Sequence, residues 1–258
     1  MGRIVRFSEF DNYLDNLKKE RDEVKGTILD ANVIITLSYS PKKYHTRILN
    51  FIEKEITAKG IKLFTTVTTT QEYLEFYRRL LITEGLRTVI HASSPIKIPQ
   101  KEKKLIEAQS SVLKKREQRG DDPVFYDREI KKIREAFYDP KSPKGFNSWK
   151  DLCREFLKNQ LPIEYKSLEK LKINYLSKYQ DDGKEFFNKE ISWDKAMDIC
   201  SNMGIGFSDA MILNALQSST LPFVVSLDVD MAVAVLGDDS LKDVLMPDGL
   251  IDSQIFKN

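Results

Sequence analysis

Residues 27–37, TILDANVIITL, read as a buried β-strand: eight of the eleven are apolar or β-branched threonine, leaving Asp30 and Asn32 as the polar exceptions once Ala31 is set aside as small. An unpaired carboxylate inside such a run is costly to bury. The stretch therefore poses two questions at once, which sheet the strand belongs to and what the acid is for. Strand patterns continue outward from it. HTRILNFIEKEITAKG (45–60) places Ile48, Phe51, Ile52 and Ile56 at helical spacing before Gly60, IKLFTTVT (61–68) is apolar enough for a second strand, and TTQEYLEFYRRLL (69–81) returns to helix. Strand, helix, strand, helix implies βαβ units and a parallel sheet.

Upstream, Ser8 followed by EFDNYLDNLKKERDEVKG predicts a capped helix with Phe10, Tyr13, Leu14 and Leu17 on one face, closed by Gly26. From Pro95 to Ser192 the pattern changes to charged, amphipathic helical segments with turn signals at GDDP (120–123), DPKSPKG (139–145) and DDGK (181–184), and no strand is evident. The βα pattern resumes with WDKAMDICSNMG and SDAMILNALQ as helices, LPFVVSLDVD as a strand and KDVLMPDG as a last strand. The expected architecture is an α/β domain in two parts, 1–92 and 196–258, interrupted by an all-helical insertion over 93–195.

With 258 residues, 41% hydrophobic and 31% charged, the chain has material for a substantial core under a solvated surface. A net charge of +2 is too small to argue by itself for nucleic acid or an anionic membrane. Cys153 and Cys200, far apart, fit reduced thiols better than a disulfide framework. The first residues lack the apolar core of a secretion signal, and no segment approaches the roughly 18 apolar residues that span a bilayer. A cytoplasmic protein with no membrane segment is expected. Only His45 and His91 are present, so any chemistry falls to carboxylates.

Each acid has an ordinary explanation when taken alone. Asp30 can bond backbone amides where its strand ends, Glu72 completes a T-x-x-E capping box with Thr69, Asp209 opens a helix, and Asp228 and Asp230 suit a turn. The arrangement says more. In a parallel α/β sheet the strand carboxyl ends and adjoining helix starts share one rim, where ligands bind. Two carboxylates about 4 Å apart repel by roughly 4 kcal/mol at an effective dielectric near 20. Four converging acids call for a divalent cation, and all-oxygen ligands suit Mg²⁺ or Mn²⁺ rather than zinc.

In order, ILDANVII, TTTQEYLEF, FSDAMILNALQ and VVSLDVD resemble the four acidic motifs of the PIN-domain nucleases, and VLMPDGLI resembles their last strand and turn. The resemblance covers roughly residues 26–85 and 196–250. Ser226 stands where threonine is common, and the insertion has no counterpart in compact members. The resemblance implies a three-layer α/β/α sandwich and metal-dependent hydrolysis of phosphodiester bonds, usually in RNA, leaving a 3′-hydroxyl and a 5′-phosphate. It implies Asp30, Asp209 and Asp228 as ligands, Glu72 as ligand or base, Asp230 as an alternative fourth ligand, and Asn32 and Ser226 as residues that orient the ligands. An antitoxin-like protein partner and a homodimer are further implications.

Weaker signals lie outside these motifs. Tyr126, Ile130, Ile133 and Phe137 form a helical stripe, with Arg128, Lys131 and Lys132 on another face. That basic face, together with Arg78, can meet phosphates, but interspersed acids favour an ordinary solvated surface. Arg79 is spaced to pair with Glu75. Trp149, Leu152, Cys153 and Phe156 read as core. The alternative to an enzyme is a PIN-like scaffold that binds RNA or protein through the insertion without chemistry, a reading that a broken acid set would favour and the complete set disfavours.

Overall fold

The structure, a computed structural model, describes residues 2–20, 23–91, 94, 96–138, 143–177 and 184–255. The fold is α/β, built on one all-parallel sheet of six strands: β1 (Ile4–Arg6), β2 (Gly26–Leu29), β3 (Lys62–Thr65), β4 (Ile173–Tyr175), β5 (Phe223–Val225) and β6 (Asp243–Met246). Their order across the sheet is β1-β6-β5-β2-β3-β4. By contacts the chain forms two compact units, one of Met1–Tyr73 with Leu168–Asn258, the other of Leu74–Ser167. Among the described residues, no helix is long and apolar enough to cross a membrane.

In the first unit β2 is central, with β3 on one side and β5 on the other. Its four residues are all buried, as expected of a parallel strand covered on both faces. The continuous strand expected over 27–37 is corrected here. The strand ends at Leu29, and Ala31–Ser38 is a helix, α2, with Asp30 as its N-cap. The reason is local, since the Asp30 carboxylate accepts a hydrogen bond from Ala31 N at 2.6 Å and its carbonyl accepts the amides of Val33 and Ile34. LPFVVSLDVD is corrected in the same sense, because β5 stops at Val225 and Asp228 caps a helix over Val229–Gly237.

One face of the sheet carries α1 (Phe10–Glu20) and α3 (His45–Phe51), where Phe10 meets Phe51 and Phe223 edge-on at 5.3 and 5.9 Å. Ser8 is not the cap of α1 but lies in a 3₁₀ turn before it, with its hydroxyl bonded to Asp248. Gly26 is the first residue of β2 rather than a helix end. Gly60, at φ 77°, closes the chain segment before β3 in the left-handed conformation that glycine adopts freely. A second apolar cluster packs Ile28, Phe64 and Val224 against Ile212, Leu213, Leu216 and Met231.

Helix α4 (Val67–Val89) leaves β3 and runs into the second unit. That unit contains α5 (Gln100–Glu117), α6 (Asp127–Phe137) and α7 (Pro143–Phe156), joined by a core of Leu86, Ile106, Leu113, Phe125, Ile133, Phe137, Trp149 and Leu152. Arg116 and Glu129, both nearly buried, pair at 2.7 Å. The stripe expected on α6 is buried at Ile130, Ile133 and Phe137, while Tyr126 is exposed. Helix α8 (Gln160–Lys170) then leads to β4. The expectation of an all-helical segment over 93–195 is thus corrected: Ile173–Tyr175 pairs in parallel with β3 and extends the sheet. The turns expected at DPKSPKG and DDGK fall largely outside the described residues.

Two helices complete the first unit before β5, α9 (Trp193–Met203) and α10 (Phe207–Ser218). We number the helix over Val229–Gly237 α11. The C-terminus of α10 is held by Lys242, whose Nζ donates to the carbonyls of Leu216, Ser219 and Leu221 at 2.7, 2.6 and 2.9 Å. Its charge also suits the negative end of the helix. Replacing Lys242 with Met keeps the stem but leaves these carbonyls without their charged donor, so urea denaturation of K242M is expected to show a loss of about 2 kcal/mol.

Candidate functional site

The strand order reverses between β2 and β5: after β2 the chain builds outward through β3 and β4, and after β5 it builds the other way through β6. Such a switch point opens a crevice at the carboxyl ends of the strands. Asp30 and Ser226 are the first residues beyond these two neighbouring strands. The Asp30 amide donates to Val225 O at 3.0 Å, and Ser226 Oγ donates to Asp30 Oδ2 at 2.8 Å. The same Ser226 oxygen accepts the Asp228 amide at 2.9 Å, and Asp228 Oδ1 accepts the Asp230 amide at 2.8 Å. One serine hydroxyl therefore links the caps of two helices. It fixes Asp30, whose other oxygen is held by Ala31, in a buried position with 2% exposure.

Asp209 sits in the first turn of α10, half-buried, where the helix dipole favours a negative charge. Its carboxylate folds back over Gly206, and a Cβ at Gly206 would lie 3.0 Å from Asp209 Oδ2. Glu72 lies on α4, also half-buried. The capping box expected between Thr69 and Glu72 is corrected, because the helix starts three residues earlier. Thr66 N donates to Thr69 Oγ1 at 2.6 Å and Thr69 N to Thr66 Oγ1 at 3.3 Å, a reciprocal box that leaves Glu72 unused. Among the described residues the Glu72 carboxylate accepts no hydrogen bond.

These acids feel one another. Burial pushes the Asp30 carboxyl up to about 7, with Asp209, Asp228 and Glu72 adding to the rise against the opposing hydrogen bond from Ser226. Asp209 is likewise pushed up to about 7, first by burial and then by Asp228, Glu72 and Asp230. No Lys, Arg or His forms an ion pair with any of the five acids among the described residues. The donor chemistry, oxygen throughout with no cationic partner, fits Mg²⁺ or Mn²⁺. The arrangement is open, since among the described residues no group of three His, Cys, Asp or Glu side chains is set to hold a metal ion. Uncompensated like charges that repel one another account for that spread.

The other expected residues are placed as follows. Ser226 does orient Asp30, whereas Asn32 is exposed and makes no hydrogen bond to it. Asp230 is exposed at the start of α11. Arg78, Arg128, Lys131 and Lys132 belong to the second unit. There Arg78 is engaged by Glu75, at 2.7 Å, and by Asp127. Arg128 lies 5.7 Å from the Tyr126 ring centre, Lys131 is 4.0 Å from Glu135, and Lys132 is exposed. The partner of Glu75 is thus Arg78 and not Arg79, whose Nε is buried without a hydrogen bond. His45 Nδ1 lies 2.7 Å from the carbonyl of Thr36, an ordinary structural contact.

One feature was missed from sequence, an exposed aromatic stack. Trp193 and Phe207, the first residues of α9 and α10, lie with ring centres 5.7 Å apart and planes 15° from parallel. The available signal was an aromatic residue at the start of each of two successive helices.

Compared with protein-family models, with curated proteins and with solved structures, the chain matches none. Fold and site together define an α/β protein with carboxylates gathered about the switch point of a parallel sheet.

The raised acids make stability depend on pH. Below about pH 3.8 Asp30 is protonated in both the folded and the unfolded chain and its burial costs no charge desolvation. As pH rises toward 7 the unfolded chain ionises first, so the fold loses stability, and above about 7 the loss is complete. The displacement corresponds to about 4 kcal/mol. Thermal melts should therefore show the wild type falling in Tm between pH 5 and pH 8 more steeply than Asp30→Asn, with the variant more stable at pH 8 in chelator. Added Mg²⁺ or Mn²⁺ should raise the wild-type Tm at pH 8 and leave Asp30→Asn nearly unmoved.

Proposed function

We propose that the chain is a metal-dependent nuclease of the PIN kind, hydrolysing phosphodiester bonds, in RNA above all, at the acids around Asp30. The observation that carries this is the coupling of Asp30, Glu72, Asp209 and Asp228 at the switch-point crevice without a cationic partner. A structural role explains one N-cap or one helix-start acid. It gives no reason to raise two carboxylates toward neutrality in each other's field.

In this reading Asp30, Asp209 and Asp228 hold one or two divalent cations, and Asp230 can join as a further ligand. When bound, such a cation supplies Lewis acidity toward a phosphoryl oxygen and activation of water at neutral pH. Asp30 is the fixed point, because Ala31 N–H and Ser226 Oγ–H each occupy one lone pair and leave others for a ligand. Asp209 and Glu72, free of side-chain hydrogen bonds, turn toward the charge. Glu72 is the group best able to take a proton from an attacking water, since no other contact claims its oxygens. Ser226 keeps both Asp30 and the start of α11 in register.

Asp30→Asn, Asp209→Asn and Glu72→Gln should each reduce Mn²⁺-dependent cleavage of single-stranded RNA by at least about 100-fold, with far-UV circular dichroism unchanged. Cleavage that persists in both aspartate variants overturns the proposal. The open spread of the acids is the one observation favouring a non-catalytic scaffold; RNA binding that survives chelation, with no cleavage under any divalent ion, would establish that reading instead.

A further inference from the structure

A cleft of about 370 Å³ opens in the first unit, lined by Thr66, Val67, Tyr175, Ile191, Met211 and Ala215 among others. It lies where the chain leaves β3 and β4, between the start of α4 and one face of α10. That face continues outward. Phe207, Met211 and Ala215 are spaced four apart on α10, so the exposed aromatic pair prolongs the same apolar stripe that forms a cleft wall. On the other wall Thr68 also lines the cleft, and Glu72 is one helical turn further along α4, about 6 Å on the same face. The cleft and the acids share two helices.

The patch is unusually bare. Trp193 is 66% exposed, Val67 62%, Ile191 42% and Phe207 39%, which makes four of the twelve large apolar side chains exposed among the described residues. Contiguous apolar surface of this kind marks a binding site more often than chance. The near-parallel rings of Trp193 and Phe207 present a flat face rather than a ragged one.

We propose that the Trp193–Phe207 stack and the cleft behind it hold an unpaired base of a single-stranded nucleic acid, one helical turn from the acids. This rests on the nuclease reading and adds to it the form of the substrate. The charge of the chain argues for it. At a net +2, with carboxylates at the centre of the site, long-range attraction for a polyanion is weak, so affinity must come from contacts that do not depend on charge. Base stacking on aromatic rings is such a contact, tolerant of sequence and open only to a strand that is not paired. A volume near 370 Å³ suits a flat ring system, and the threonines at its edge provide hydrogen-bonding groups without fixing one base.

The test is binding of a short single-stranded oligouridylate, in chelator and at low salt, to full-length chain carrying Asp209→Asn to reduce repulsion. Trp149 is 7% exposed, so quenching of tryptophan fluorescence reports chiefly on Trp193. Adding Trp193→Ala should weaken binding by about 5- to 150-fold, the range given by loss of one base stack, and Trp193→Phe should recover most of it. A duplex of the same length should bind no better than the Trp193→Ala chain binds the single strand. Equal affinity with and without the Trp193 ring, or no saturable binding at all, overturns the proposal. So does a shift from dimer to monomer in Trp193→Ala with RNA affinity unchanged, which would assign the face to a second copy of the chain. None of these readings depends on cleavage: failure of the wild type to cut RNA with the stacking result intact removes the nuclease reading alone.

Discussion

The structure turns on one buried carboxylate. Asp30 sits at the end of the central strand with 2% exposure, held by Ala31 N–H and Ser226 Oγ–H, in the field of three further acids and without a cationic side chain in reach. Burying a charge without a partner is disfavoured, and surrounding it with like charge is more so. The fold accepts this at its centre, where β2 is flanked by two strands and every residue is covered. A hydrophobic residue there would pack without penalty. The carboxylate is retained at a position where it costs stability, a pattern expected of a group kept for binding or chemistry rather than for the fold.

Strand order converts that local feature into a site. Because β5 lies directly beside β2, the residues leaving both strands meet, and the hydroxyl of Ser226 bridges the caps of α2 and α11. Neither cap would make a site without the other. Asp209 and Glu72 arrive from first turns and early turns of helices packed beside the same rim, where N-terminal dipoles partly offset their charge. The four acids come from segments separated by as much as 198 positions in the chain, between Asp30 and Asp228. Only the all-parallel winding gathers them.

That winding was legible in the sequence from the β-branched runs around Ile28, Phe64 and Val224 and from the helices between them. The limits of β2 were not. In α2, Ala31, Val33, Ile34, Ile35, Thr36 and Leu37 are all buried, and a helix apolar on nearly every side shows no 3.6-residue period to distinguish it from a covered strand. Strands β1 and β4 failed for the opposite reason. Three residues at a sheet edge, as in Ile173-Asn174-Tyr175, bury only the first, too little pattern to separate from the helices before it. Glu72 was misassigned because two threonine registers offer a capping box, and only the start of α4 decides between Thr66 and Thr69. The Trp193–Phe207 stack depends on how two helix starts meet in space, which spacing along the chain does not encode.

Two kinds of surface thus border one sheet edge, and they respond differently to solution conditions. The acids set a field that repels phosphate until something neutralises it, while the aromatic stack is indifferent to charge. If both serve one nucleic acid, cation and strand cannot bind independently: the ion removes the repulsion the strand would meet, and by linkage the strand raises affinity for the ion by the same factor. Stacking then holds a base beside the crevice whatever the state of the acids. The coupling would confine chemistry to the moment when ion and strand are both present, with no moving part beyond carboxylates that turn toward the charge.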